Sequence, residues 1–360
     1  MPATLSDVAR LAGVSEATAS RAMNGRRYVA LSTRARVESA IRELDYLPHR
    51  AARDLSLART ATVAMLVHHA QYPTHGEGTF STRALDGVAR ALDQHGYDLL
   101  YVSVGDDAGS RLRSLAAARE GRADGALMLG PAFPREAIAA QLATGRPVVL
   151  IDNRVPGVDA VLADNRTAAT LLTRHLVDVH RYCRLGCLAG PPGWPSTVER
   201  VAAVRRVARR AGARLQVVHA PETRLRDGAE AVGQLLDDPP EAIIAVNDAM
   251  ALGAIHRMRA MPARLRPAIV GHDDIAWAAM ADPPLTTVHV DAAAMAAAAV
   301  ALLLERIAEK NKDHLPAREV RVPVSLRLRR SCGCGQDPSF TNGRAEGGRR
   351  DDHRLRQART

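Results

Sequence analysis

"SDVARLAGVSEATASRAMNG", residues 6–25, has the rhythm of two short helices separated by one glycine. Thr4 to Asp7 has the form of a capping box, so a first helix is expected to begin after Thr4. Val8, Leu11 and Ala12 are spaced for one buried face, and Gly13 ends the helix and permits a sharp turn. Ser15 is a suitable N-cap for a second helix over 16–23. Ala9 and Ala19 are small where two helices must cross. This is helix-turn-helix grammar.

On the second helix Glu16 and Ser20 form one row and Ala17 and Arg21 the adjacent one, while Ala19 and Met23 turn inward. That face offers what a DNA major groove can read. Arg21 can grip guanine O6 and N7, Glu16 can accept from cytosine N4, and Ala17 can touch a thymine methyl. Ser15, Thr18, Ser20 and Asn24 are candidate phosphate ligands. A third helix is expected over 32–44, with Val37, Ala40, Ile41 and Leu44 at helical spacing.

The 360 residues are too many for one typical domain, and net charge is +10. The charge is densest at the ends: residues 1–60 hold ten arginines against six acids, and residues 331–360 hold six against four. A basic end of this kind suits a polyanion. Apolar residues make up 47% of the chain but aromatics only 3%, so any aromatic near a cleft gains interest. The N-terminus lacks the layout of a signal peptide, and no apolar run is long enough to span a bilayer. The expectation is a soluble, cytoplasmic protein without membrane contact.

From residue 62 onward apolar β-type runs alternate with helical patterns. Strands are expected at 62–67, 97–104, 125–130 and 147–152, then at 184–190, 214–220, 242–246 and 267–273. Helical patterns fall at 82–95, 198–211 and 227–236, followed by a long helix at 291–309 and a returning strand at 319–329. Near-continuous apolar strands between helices imply parallel sheets covered on both faces. The expected fold is therefore an α/β core of two doubly wound lobes behind an all-α helix-turn-helix headpiece, with a ligand cleft at the strand ends between the lobes. The expected boundaries are a headpiece at 1–47, a linker at 48–61, a two-lobed core at 62–330 and a polar tail at 331–360.

No catalytic constellation stands out, and no cofactor or metal is expected. "GPPGWPS" (190–196) lacks the Lys-Ser/Thr ending of a phosphate loop. Cys183 and Cys187, near His175 and His180, alternate like strand residues and read as core. Cys332 and Cys334, in "SCGCG", could hold a metal only with ligands from elsewhere, because a CxC alone is a weak signal.

With "STRARVESAIRELDYLPHRAARDL" (32–55), and then "RADGALML", "PVVLID", "NDAMALGA", "GHDDIA" and "DPPLTTVHVD", the chain resembles the LacI/GalR family of bacterial transcription regulators. The motifs run in order through residues 4–330. The resemblance implies a periplasmic-binding-protein-like (type I) core and a hinge helix that places Leu55 in the minor groove, where an apolar wedge kinks a base step. It also implies a repressor that binds a pseudo-palindromic operator on double-stranded DNA as a homodimer, with a tetramer left open. Its effector would be a small sugar or sugar derivative contacted by Asp152, Arg200, Asn247 and Asp273. Phe80 keeps an aromatic in a loop, residues 68–80, that departs from the family pattern, and Trp194 adds another in a loop of the second lobe. The histidines of the first of these loops, His68, His69 and His75, could instead suit an acidic sugar. Asp54 stands where the family usually has serine, and Ala19 and Ala22 replace bulkier residues. The alternative is a solute receptor with no DNA role.

Overall fold

A computed structural model of the chain describes residues 3–23, 29–46, 60–68, 79–105, 107–309 and 316–335. The chain divides into two compact units, one up to Ala61 and one from Thr62.

Among the described residues the first unit has three helices, α1 (Leu5–Ala12), α2 (Glu16–Met23) and α3 (Leu31–Glu43). Thr4 caps α1 through the expected box with Asp7, and Gly13 closes it at φ +63°. The core is small and alanine-rich: Val8, Ala9, Ala12, Ala19, Ala22, Val37, Ala40 and Tyr46 are buried together. One assignment changes: Leu11 is 45% exposed, and Ala9 is buried in its place. Met23 is half-buried and packs against this core as expected, with Ala22 buried beside it. The crossing is centred on alanines, and their small side chains let the backbones approach closely.

The second unit begins with β1 (Thr62–His68), whose alternate residues serve two cores. Val63, Met65 and Val67 pack on one face of the sheet, and Ala64 and Leu66 on the other. That explains the near-continuous apolar run. β2 (Asp98–Val104), β3 (Gly125–Leu129), β4 (Val148–Ile151), β5 (Asp159–Ala163) and β11 (Glu319–Val322) complete a parallel six-stranded sheet in the order β11-β5-β4-β3-β1-β2. Helices α4 (Phe80–Gln94), α5 (Ala108–Arg119) and α6 (Arg135–Leu142) fall between these strands. Here β5 was not anticipated.

The second lobe has a parallel sheet in the order β7-β6-β8-β9, from β6 (Arg184–Ala189), β7 (Arg214–His219), β8 (Ala242–Ala245) and β9 (Ala268–Val270). Around it run α7 (Asn165–Arg174), α8 (Pro195–Arg210), α9 (Leu225–Gly233), α10 (Asp248–Met258) and the short α11 (Ala276–Met280). α9 and α10 meet at glycines. A Cβ on Gly228 would stand 2.5 Å from Met250 Cα, and one on Gly253 would run into the Leu225 carbonyl.

The chain passes between the lobes three times. It crosses from β5 into α7, returns from β10 (Thr287–Val290) into α12 (Ala292–Ala308), and crosses again between β11 and β12 (Val324–Arg327). The expected single strand over 319–329 is thus two. The first half joins β5, and the second pairs antiparallel with β10. Pro323, which has no N–H to give to a ladder, sits at the break. The core also continues past residue 330. Ser331 and Cys332 are buried, so the polar tail does not begin at 331. No helix among the described residues is long and apolar enough to cross a membrane.

Candidate functional site

In the headpiece, Ser15, Glu16, Ala17 and Arg21 are exposed on or beside α2, with Thr18 and Ser20 half-buried. The Ser15 hydroxyl accepts from the Thr18 backbone N–H (3.2 Å) and lies 2.9 Å from the Thr18 hydroxyl, so Ser15 caps the helix as expected. Asn24, Asp54, Leu55, His69 and His75 lie outside the described residues.

In the core, a cavity of about 190 Å³ opens between the lobes at the carboxyl ends of both parallel sheets. Its wall includes all six residues expected there: Phe80, Asp152, Trp194, Arg200, Asn247 and Asp273. Phe80 opens α4, which is capped by Thr79. Asp152 follows β4 at φ +56°, and Asp273 follows β9 at φ +109°. Backbone held in this region is costly for a non-glycine residue and clusters at binding sites.

Arg200 is the best-anchored of the six. Its Nε donates to Asn165 Oδ1 (2.7 Å), its Nη1 donates to the Val246 carbonyl (2.5 Å), and its Nη2 stands 4.0 Å from Asp273 Oδ1. Asn247 caps α10 by accepting from the Met250 N–H (2.9 Å), and donates from Nδ2 to the Thr223 carbonyl (2.9 Å). One amide hydrogen and one lone pair remain for a ligand. Asp273 takes the Nδ1 hydrogen of buried His272 (2.8 Å), and its backbone carbonyl accepts from Arg83 Nη2 (2.6 Å), which reaches across from the first lobe. Burial, with Arg200 nearby, pushes the His272 imidazole down to about 4, so it is neutral. A second tie between lobes joins Arg321 to Glu199 through 2.7 and 3.0 Å bonds. Burial pulls the Glu199 carboxyl up, and Arg321 overcomes it and holds it below the ordinary range.

Two other strand-end carboxylates are used by the fold. Asp248 is fully buried and accepts from the Ile275 N–H (2.9 Å) and the Thr287 hydroxyl (2.6 Å), tying α10 to α11 and β10. Burial raises its pKa well above the usual value. Asp274 accepts from Arg329 (2.7 Å) and pairs with His289 (3.0 Å). His68 packs edge-on to Phe133 and is not part of the cavity wall.

Sequence reasoning missed Trp277, Glu222 and Arg224, which also line the cavity. Trp277 had a legible signal. The chain has only two tryptophans, and both prove to face this space.

Burial raises the Asp152 carboxyl from 3.8 to about 7, with Arg200 opposing and Asp273 and Glu199 adding to the rise. A carboxyl whose folded pKa is raised keeps a proton that the unfolded chain releases, so it costs stability progressively as pH climbs from about 4 to about 7. Asp152→Asn should match the parent near pH 4 and exceed it by up to about 4 kcal/mol at pH 8. The check is thermal unfolding across that range, and parallel pH profiles would remove the premise.

The comparisons with known proteins cover both units. Residues 4–49 match the model of bacterial regulatory proteins of the lacI family, and residues 173–332 match a periplasmic binding protein-like domain. The ribose operon repressor of Escherichia coli (strain K12) is 31% identical over 316 residues, 85% of this chain and 94% of the relative. The HTH-type transcriptional repressor PurR of Aliivibrio salmonicida is 30% identical over 321 residues, 86% and 94%. Among solved structures, a lac repressor dimer bound to operator and the anti-inducer ONPF superposes with TM-score 0.77 at 25% identity, covering 92% of this chain and 99% of that one. A complex of the transcriptional regulator CelR with cellobiose superposes with TM-score 0.67 at 28% identity, covering 91% and 99%. With its headpiece, its two-lobed core and this extent of likeness, the chain belongs to the lacI family of bacterial transcriptional regulators.

Proposed function

We propose that this regulator is a repressor that binds a pseudo-palindromic operator as a homodimer and is controlled by a neutral sugar or sugar derivative held between the lobes. The observation that carries the reading is the cavity itself. Both lobes contribute acceptors and donors (Asp152, Asn247, Arg200 and Asp273) beside the aromatic faces of Phe80, Trp194 and Trp277. Polar groups that each satisfy more than one hydroxyl, beside apolar ring surface, suit a polyol. The charges on the wall nearly balance, with Asp152, Glu222 and Asp273 against Arg200 and Arg224, which favours a neutral ligand over an acidic one. The sugar class also follows the relatives that act on a ribose operon or hold cellobiose. Family membership sets aside enzymatic turnover and the solute-receptor reading.

Arg21, Glu16 and Ala17 are the base readers in this proposal, with Ser15, Thr18, Ser20 and Asn24 on phosphates and Leu55 as the minor-groove wedge. The test is selection of genomic fragments by the purified protein at near-physiological salt. A short two-fold-symmetric site is expected, and Arg21→Ala should weaken binding to it by about 1–3 kcal/mol while relaxing preference at one base position per half-site. Leu55→Ala should weaken the specific complex more than the non-specific one. Retention of DNA without a preferred sequence would sink the operator reading. A panel of neutral sugars and sugar acids, scored by thermal protection, tests the cleft. Protection by acids alone would overturn the neutral-ligand assignment.

A further inference from the structure

The turn that continues α7 beyond Arg174 is not α-helical. From His175 to Val179 the helix widens to a π turn, and the His180 N–H bonds to the His175 carbonyl five residues back (3.4 Å). On a regular α-helix, at about 100° per residue, side chains five apart diverge. The wider turn brings the fifth residue back towards the same face, a distortion frequent at functional sites. Here it aims two imidazoles at one point. His175 Nε2 and His180 Nε2 are 3.1 Å apart, with the rings at 85° to each other.

The other half of the cluster comes from beyond β12. Residues 331–335 turn tightly, with Gly333 at φ +101°, where a Cβ would lie 3.0 Å from the Tyr182 hydroxyl. The turn presents both sulfurs of "CGC" to the imidazoles. Cys332 Sγ stands 3.3 Å from His175 Nε2, and Cys334 Sγ stands 3.4 Å from each imidazole Nε2. All four donor atoms lie within 4.8 Å of one another. A tetrahedral Zn²⁺, with bonds of about 2.3 Å to sulfur and about 2.0 Å to nitrogen, separates its donors by roughly 3.3–3.8 Å. The spacing of the cluster is close to this.

We propose that His175, His180, Cys332 and Cys334 form a structural zinc site. The donor set selects the metal, because two thiolates and two imidazoles in tetrahedral array suit Zn²⁺. The site is closed, since four protein ligands leave no position for water or substrate. Its surroundings are also built. The Thr286 hydroxyl donates to Cys332 Sγ (3.1 Å), the Tyr182 hydroxyl donates to the Cys332 carbonyl (3.3 Å), and the Tyr182 ring stacks on His180 at 5.4 Å. Such outer contacts fix the direction of metal ligands. Zinc there fastens the end of the core to the end of α7, whose first residue, Asn165, holds Arg200 in the cleft.

The experiment uses the full chain, purified without a histidine tag or chelator. Elemental analysis should find one zinc per chain. Cobalt substitution should give the intense visible bands of a tetrahedral thiolate site. Cys334→Ser, which changes one atom at a half-buried position, should weaken zinc at least by the roughly 10–100-fold that loss of an outer contact costs. The Cys332→Ser/Cys334→Ser double variant should hold less than about a tenth of an equivalent, whereas exposed Cys183→Ser should stay fully loaded. Far-UV circular dichroism of Cys334→Ser confirms that it folds. Parent protein that takes up no zinc from micromolar solution overturns the proposal, as does a folded Cys334→Ser that binds zinc as tightly as the parent.

Discussion

An alanine at position 253 is expected to destabilise the second lobe more than a methyl group added at any other described glycine. The Gly253 Cβ would overlap the Leu225 carbonyl and stand 3.0 Å from the Ala229 nitrogen, and both are backbone atoms that cannot rotate away. α9 and α10 would have to separate, opening the packing around Ala231, Val232, Met250 and Ala254, all buried in the lobe's one hydrophobic cluster. Overpacking of this kind costs typically 1–3 kcal/mol and more where backbone blocks relief, so about 3 kcal/mol is expected. For a unit of this size that lowers the melting temperature by roughly 6–12 °C. Gly233→Ala is the control. It is also helical, meets nothing within 4 Å, and should be neutral or stabilising by about 0.5–1 kcal/mol. Calorimetry of the two variants decides the matter, and melting of Gly253→Ala within a degree of the parent would refute the close-contact argument.

Removing the guanidinium of Arg200 should cost both stability and effector affinity. Alanine there leaves the Val246 carbonyl and Asn165 Oδ1 without their donor and strips Asp273 of a positive neighbour. Losing a charged donor to buried acceptors costs about 2–4 kcal/mol. A ligand hydroxyl held by the same group loses about 1.5–3 kcal/mol more, roughly 10–100-fold in affinity. The two losses separate experimentally. Titration calorimetry well below the melting temperature reads affinity on folded protein, and unfolding curves read stability. Unchanged affinity in folded Arg200→Ala would make the residue a strut between Asn165 and Val246 with no part in recognition.

The fold was legible wherever a local signal was strong. Thr4 and Asp7 announced the first helix, and runs such as 62–67 and 242–246 announced strands because two covered faces demand apolar residues at every position. β5 was missed because "DAVLA" is short and opens on an acid, Asp159, that is held by Arg306 far along the chain. The break at Pro323 was hidden because the alternation of 319–329 continues across it, while the two halves serve different sheets. In the cleft, residues at strand ends could be placed, but Trp277, Glu222 and Arg224 sit where no strand pattern leads. The histidine–cysteine cluster was legible only as two separate halves, His175 with His180 and Cys332 with Cys334, and their meeting was not. Its halves are 157 residues apart, and only the π turn aligns His175 with His180.

Trp194 and Trp277 are the only two indoles in the chain, one on the loop before α8 and the other, 50% exposed, on α11. Since both line the same cavity, light absorbed at the red edge of the aromatic band is emitted from the cleft alone. The wild-type protein is therefore its own optical reporter. An occupant that displaces water from these rings shifts their emission, and events elsewhere reach the spectrum only by altering the cleft.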